Sequence, residues 1–271
     1  RPENPLPVVR TRGTTRPLMQ HWLNLKMHTE GTDYHITVGE IVSERLLKSV
    51  NIFAEKLKTI YYPVVCPELP LQQQIDFRTE FEISAKAKVL AVVGRIRPVK
   101  GQRILLQSLN QLIPEFPDLV LLMPYRDTSE SEPEMVALRN DIRSLKLEAH
   151  VRLIPEREDI RALMEFAYAG VVSSVESEVI CRVAVEFFSV ATPVVAFPTG
   201  CLPEIIRHEK NGLLAKDQTP EALTVELRKI LADPELSERL GQGARRDAEI
   251  RFNPQKMLAE TLDVFECSLN Y

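Results

Sequence analysis

From residue 87 onward the chain alternates short apolar runs with longer stretches of helical periodicity, and few folds accommodate that rhythm. Strands are expected at KVLAVVG (88–94), LVLLMP (119–124), HVRLI (150–154), AGVVSS (169–174), PVVAFP (193–198) and GLLAK (212–216). Most are rich in Val and Leu and apolar on both faces, as befits strands covered by helices above and below. Between them QRILLQSLNQLI, EPEMVALRNDIRSLKL, REDIRALMEFA, the stretch from Ile180 to Val190, and LPEIIR carry the helical period. TPEALTVELRKILA opens with Thr219 as N-cap and Pro220 at the first helical position, and Asp233-Pro234 starts the next helix. Such repetition predicts an α/β fold built on a doubly wound parallel sheet.

The opening stretch has the same character but is shorter. PVVRT (7–11), YHITV (34–38) and TIYYPV (59–64) read as strands, with HWLNLKMHTE and EIVSERLLKSV as helices. Three strands are few for a doubly wound domain. Residues 1–65 are therefore expected to be the back half of a larger domain whose front half is absent from this sequence. VVCPELPLQQQ (64–74) reads as the linker. The expected division is a partial first domain with linker over 1–74, a complete second domain over 75–252, and a terminal helix over 253–271.

The chain is 44% hydrophobic and 27% charged with a net charge of −4, which fits globular domains and argues against nucleic acid as main partner. Arg1, Arg10, Arg12, Arg16 and Lys26 nonetheless cluster near the start. A solvated loop explains them, and so does a patch facing anionic lipid or a phosphorylated acceptor. Cys66, Cys181, Cys201 and Cys267 form no C-x-x-C pair, so reduced thiols in a cytosolic protein are expected, without structural zinc or disulfides. No run of 18 apolar residues suggests a membrane span.

Two segments carry the chemistry. VVGRIRPVKGQ (92–102) follows the first strand of the second domain and enters a helix. Gly94 allows a sharp turn there, and Arg95 and Lys100 add cations to an end already favourable to anions. A solvated basic loop is the alternative. SSVESEVICRVAVEFFS supplies Ser173 and Ser174 at a strand end, Glu178 in the loop, and a helix expected to begin near Ile180. Amides from Val179 to Cys181 would then be free to meet an oxygen anion. Glu186 falls among Val183, Ala184, Val185, Phe187 and Phe188, either paired with Arg182 at i,i+4 or binding a ligand. Eight helical residues rise about 12 Å. Carboxylates so far apart cannot share one metal ion but can hold two ends of an elongated ligand, such as a nucleotide-diphosphate sugar. Cys181 itself reads as a small buried hydrophobe.

GRIRPVKG, the E-x7-E pair Glu178 and Glu186, ATPVVAFPTGCLPEII and NGLL follow in order and resemble the nucleotide-binding half of retaining GT-B glycosyltransferases, specifically glycosyltransferase family 4. TDYHITVGEIVSERLL is similar to the end of that family's N-terminal domain. The resemblance implies a GT-B fold of two Rossmann-like domains, the first incomplete here. It implies that Gly94, Arg95 and Lys100 hold the diphosphate, that Glu178 binds sugar hydroxyls beside the amides of Val179, Ile180 and Cys181, and that Glu186 accepts from the ribose. Backbone at Ile154 and Pro155 would meet the base. Arg95, Lys100 and Glu178 would carry catalysis without metal or other cofactor, transfer would retain the anomeric configuration, and the terminal helix would return to the first domain.

The chain departs from the family in having Val179, Ile180 and Cys181 where relatives carry small residues and a glycine. Gly13 stands where relatives often have a histidine, leaving Arg12, Gly13 and Thr14 as acceptor-side candidates. The resulting expectation is a cytoplasmic enzyme at the inner face of the plasma membrane. It would move sugar from a nucleotide-sugar donor to a glycan or lipid-linked acceptor, in polysaccharide or lipopolysaccharide synthesis. A catalytically degenerate nucleotide-sugar-binding module and a GT-B sugar-nucleotide epimerase are the alternatives.

Overall fold

The computed structural model describes residues 6–71, 76–126, 128–176 and 178–269. Arg1 of the basic cluster, the glutamines of the linker and the 74/75 boundary lie outside those residues. The first unit contains β1 (Val9–Arg12), α1 (Trp22–Thr29), β2 (Tyr34–Thr37), α2 (Glu40–Ser49) and β3 (Leu57–Thr59). Its strands are parallel in the order β1-β2-β3. The last strand ends where the sequence places its start. Thr59 is the final residue in register with Thr37, and Ile60 donates one more bond to the Thr37 carbonyl at 2.8 Å. Tyr61 then leaves the sheet, because its ring packs edge-on against Phe252 with centroids 5.7 Å apart.

The second unit runs α3 (Phe77–Glu80), β4 (Val89–Ala91), α4 (Gln102–Leu112), β5 (Val120–Pro124), α5 (Pro133–Ser144), β6 (Val151–Ile154), α6 (Ile160–Phe166) and β7 (Ala169–Val172). It continues through α7 (Arg182–Ser189), β8 (Val194–Ala196), α8 (Leu202–Ile205), β9 (Gly212–Leu214), α9 (Pro220–Ala232) and α10 (Pro234–Arg251). The six strands are all parallel in the order β6-β5-β4-β7-β8-β9. Winding proceeds outward from β4 in one direction and from β7 in the other. Their carboxyl ends flank the point where the topology reverses, which is where open α/β sheets bind ligands.

Alternate residues of each strand enter opposite cores. Val89, Ala91, Val120 and Leu122 join one, with Leu163, Phe187 and Ala244. Leu90, Leu121, Met123 and Val171 join the other, with Leu105, Leu138 and Leu227. Both faces are buried, which is why the strands read as continuous apolar runs. Thr219 and Asp233 do cap α9 and α10, accepting from the amides of Ala222 and Leu236. The terminal helix α11 (Pro254–Leu269) reaches the first sheet, where Val264 packs with Ile36 and Ile60. Among the described residues no helix is long and apolar enough to cross a membrane.

Candidate functional site

The turn after β4 depends on two glycines. Gly94 has φ +149°, with open space where a Cβ would stand, and its amide donates to Pro124 O at 3.1 Å. Gly101 has φ +63°, and a Cβ there would lie 2.0 Å from Ser173 O. Such conformations suit glycine alone, and the second brings the β4 and β7 loops into contact. Ser173 Oγ donates to Lys100 O at 2.9 Å, and Val175 N to Val99 O at 2.9 Å. Gln102, buried at the start of α4, donates its side-chain amide to Arg95 O at 2.7 Å and so fixes the exposed Arg95 at the rim.

Lys100 and Glu178 meet across this seam as an ion pair. The same carboxylate oxygen accepts from Ser174 Oγ. The Glu178 side chain is only 8% exposed, and its two donors offset the cost of burying the charge. Glu186 lies on α7, half-buried, with Arg182 at 3.6 Å. That is the i,i+4 pair, and Glu186 also lines the cavity described next.

A cavity of ≈ 460 Å³ is lined by Gly94, Arg95, Lys100, Tyr125, Arg126, Glu156, Arg157, Arg182 and Glu186. An adjoining recess of ≈ 210 Å³ is lined by Lys100, Ser173, Ser174, Glu178 and the residues 179–183. Lys100 and Arg182 border both. The carboxylates thus occupy two compartments with cations between them, and the larger volume falls within the range of small-molecule sites. Five basic side chains and two acidic ones line the larger cavity, with Lys100, Arg157 and Arg182 each paired to a carboxylate. Among the described residues, no group of three or more His, Cys, Asp or Glu side chains is arranged as metal ligands.

Two expectations about helix α7, its start and its free amides, need adjustment. Helix α7 begins at Arg182, two residues later than expected, because Cys181 takes up a left-handed conformation (φ +38°) as its N-cap. The first-turn amides therefore belong to Arg182 and Val183, while Val179, Ile180 and Cys181 line the smaller recess as loop. Burial, and then the neighbouring Glu178 carboxylate, push the Cys181 thiol well above its usual pKa, so it stays protonated. Ile154 and Pro155 line a separate groove of ≈ 480 Å³, and Ile154 O is taken by Tyr125 N at 2.9 Å. Tyr125, Arg126, Glu156 and Arg157 form the cavity wall at that edge instead.

Arg12 ends β1, Gly13 and Thr14 follow it, and none of the three lines either compartment. Arg12 donates to Arg16 O, and Thr14 Oγ1 accepts from Arg16 N at 3.2 Å. Sequence reasoning missed Gln102, Tyr125, Arg126 and Arg157. A basic residue two positions after the end of β5 was the available signal for Arg126.

The sequence profile described as "Glycosyl transferases group 1" matches residues 73–247. Spore coat protein SA of Bacillus subtilis is 28% identical over 247 residues, covering 85% of this chain and 64% of that protein. A D-inositol 3-phosphate glycosyltransferase of Jonesia denitrificans is 30% identical over 245 residues, covering 83% and 57%. The chain thus spans about three fifths of the length of these curated relatives. Among solved structures, a glycosyltransferase of Rickettsia africae superposes with TM-score 0.87 at 19% identity, covering 96% of this chain and 70% of that one. HepE of Anabaena in complex with UDP gives 0.83 at 24% identity, covering 95% and 72%. The same protein in complex with UDP-glucose gives 0.79, also at 24%, covering 95% and 72%.

Proposed function

The chain belongs to the glycosyl transferases group 1 family and has the GT-B architecture, and from that premise we propose that it binds a nucleotide-diphosphate sugar across the β4–β7 seam for transfer to a glycan or lipid-linked acceptor. The observation that carries this reading is the pair of compartments joined at Lys100, with Glu178 in one and Glu186 in the other. A diphosphate needs cations in the middle, while sugar and ribose need acceptors at either end. Arg95 and Lys100 take the diphosphate, Glu178 the sugar hydroxyls and Glu186 the ribose.

In the reaction, the bond from the anomeric carbon to the diphosphate oxygen breaks and one to an acceptor hydroxyl oxygen forms. The hydroxyl proton leaves with the nucleotide diphosphate or to solvent, and the anomeric configuration is retained. Arg95, Lys100 and the first turn of α7 stabilise the departing negative charge, so no metal is required. A uridine nucleotide is the first donor to try, because HepE of Anabaena has been solved with UDP-glucose. Synthesis of cell-surface polysaccharide or lipopolysaccharide on the cytoplasmic side is the setting that fits. Exposed Met19, Trp22 and Leu23, close in sequence to Arg16 and Lys26, support contact with the anionic inner membrane face.

Calorimetric titration with UDP, GDP and ADP and their glucose conjugates, with EDTA present, tests the reading. Micromolar binding of one nucleotide series without metal is expected. No binding of any, by protein shown to be folded, would sink the assignment.

A further inference from the structure

Helix α2 has no cap of its own. Its N-cap residue is Gly39, and the first two amides are taken by a carboxylate from the other unit. Glu40 N donates to Glu204 Oε2 at 2.6 Å and Ile41 N to Glu204 Oε1 at 2.7 Å, contacts spanning 164 and 163 residues. Tyr61 Oη adds a third donor to Oε2 at 3.1 Å. A carboxylate that accepts two backbone amides at a helix N-terminus is a strong and directional tie. Glu204 sits on the four-residue α8, whose far end is held by Arg251 Nη2 donating to Glu204 O at 2.7 Å. The residue that precedes α8, Cys201, donates its amide to Glu178 O at 2.7 Å. Thr199 Oγ1 donates to Ser174 O at 2.6 Å.

A continuous path therefore runs from the α2 amides through Glu204 and α8 to the backbone of Glu178. A serine at position 39 could cap α2 locally, whereas here the cap comes from the segment that braces Glu178. We propose that Glu204 is a positioning residue for the sugar end of the site, tying the loop of Glu178 to the first unit. The inference rests on the donor-binding reading above.

Residue-resolved amide exchange and calorimetry with UDP and UDP-glucose test it on the parent, Glu204→Gln, and Glu204→Gln combined with Gly39→Ser. In Glu204→Gln, exchange at Glu40 and Ile41 is expected to rise by about tenfold or more, and the Cys201 amide to rise with it. Affinity for UDP-glucose is expected to fall about tenfold while that for UDP stays within about twofold, the latter also showing that the variant is folded. Gly39→Ser restores protection at Glu40 and Ile41 through a local cap. It should not restore Cys201 protection or preference for the sugar conjugate. Unchanged Cys201 protection in Glu204→Gln would overturn the coupling, as would parallel loss of both ligands, or full rescue by the local cap. If the parent binds neither ligand, the donor reading fails by itself, and the Cys201 amide still decides for or against the coupling.

Discussion

Lys100 and Glu178, 78 residues apart in the chain, form an ion pair at the seam between the loops that follow β4 and β7. The pair joins the group assigned to phosphate with the group assigned to sugar hydroxyls, so each constrains what the other does for a ligand. Removing either charge should change the recognition of both ends.

Glu178→Gln releases Lys100 from its partner. Affinity for UDP is expected to rise by about two- to fivefold, because the Lys100 ammonium no longer shares its charge with the buried Glu178 carboxylate. Affinity for UDP-glucose should fall relative to UDP. Calorimetry on the two ligands checks this, and weaker UDP binding would remove Lys100 from the phosphate site.

Arg95→Ala tests the rim of the cavity. Loss of a charge-assisted hydrogen bond costs about 1.5–3 kcal/mol in nucleotide binding. Because Gln102 holds the Arg95 backbone rather than its side chain, the loop itself should keep its shape. Equal affinity of variant and parent would place the guanidinium outside the site.

Glu186→Gln separates the two roles of that carboxylate. Its pair with Arg182 lies on a helix surface, with the Arg182 side chain 69% exposed, so unfolding stability should change by no more than about 0.5 kcal/mol. Nucleotide affinity should drop about tenfold or more through loss of a charged acceptor. Urea denaturation beside calorimetry distinguishes the contributions, and a variant that binds like the parent would leave Glu186 a helix residue only.

The glycines at the turn should differ in tolerance. Gly94→Ala meets open space and pays only for its backbone conformation, about 1–3 kcal/mol. Gly101→Ala adds a collision with Ser173 O and should be the more destabilising by urea denaturation. The reverse order would mean that the β4 and β7 loops separate readily.

His28 and His35 stack in the first unit with ring nitrogens 3.2 Å apart. Burial, then His28 and the guanidinium groups of Arg10 and Arg12, pull His35 down to about 4 from 6.5. The unfolded chain binds more protons than the folded one between these values, so stability falls as pH drops from about 6.5 toward about 4. Thermal unfolding across that window should show the decline, and His35→Gln should flatten it.

The second unit was legible because burial on both sheet faces forces long apolar runs, and because Thr219 and Asp233 sit where caps must. Elsewhere local signals misled. The run Ile60-Tyr61-Tyr62 looks like strand, but Tyr61 is drawn to Phe252 and Glu204 by tertiary packing. Helix α7 starts later than its sequence suggests because Cys181 adopts a conformation that its side chain does not advertise. The strand order points to one end of the sheet, yet not to which residues beyond each strand turn inward, so the sequence does not show that Arg126 and Arg157 line the larger cavity while Ile154 and Pro155 line a separate groove. Glu204 stands inside the ATPVVAFPTGCLPEII stretch, but nothing local marks its role, since the donors to its carboxylate lie more than 140 residues away.

The pairing of β4 with β7 has a kinetic meaning as well. These neighbours in the sheet are separated by the whole of β5 and β6 with their helices, so closing them costs the chain entropy of a long loop. High contact order of this kind slows folding. A ligand that touches both Lys100 and Glu178 can recognise only chains in which that closure has occurred. Occupancy then draws on the equilibrium for the whole unit, by about 2.7 kcal/mol at a hundredfold excess over Kd. Donor concentration in the cell would accordingly set not only how often the site is filled but how long each folded molecule survives.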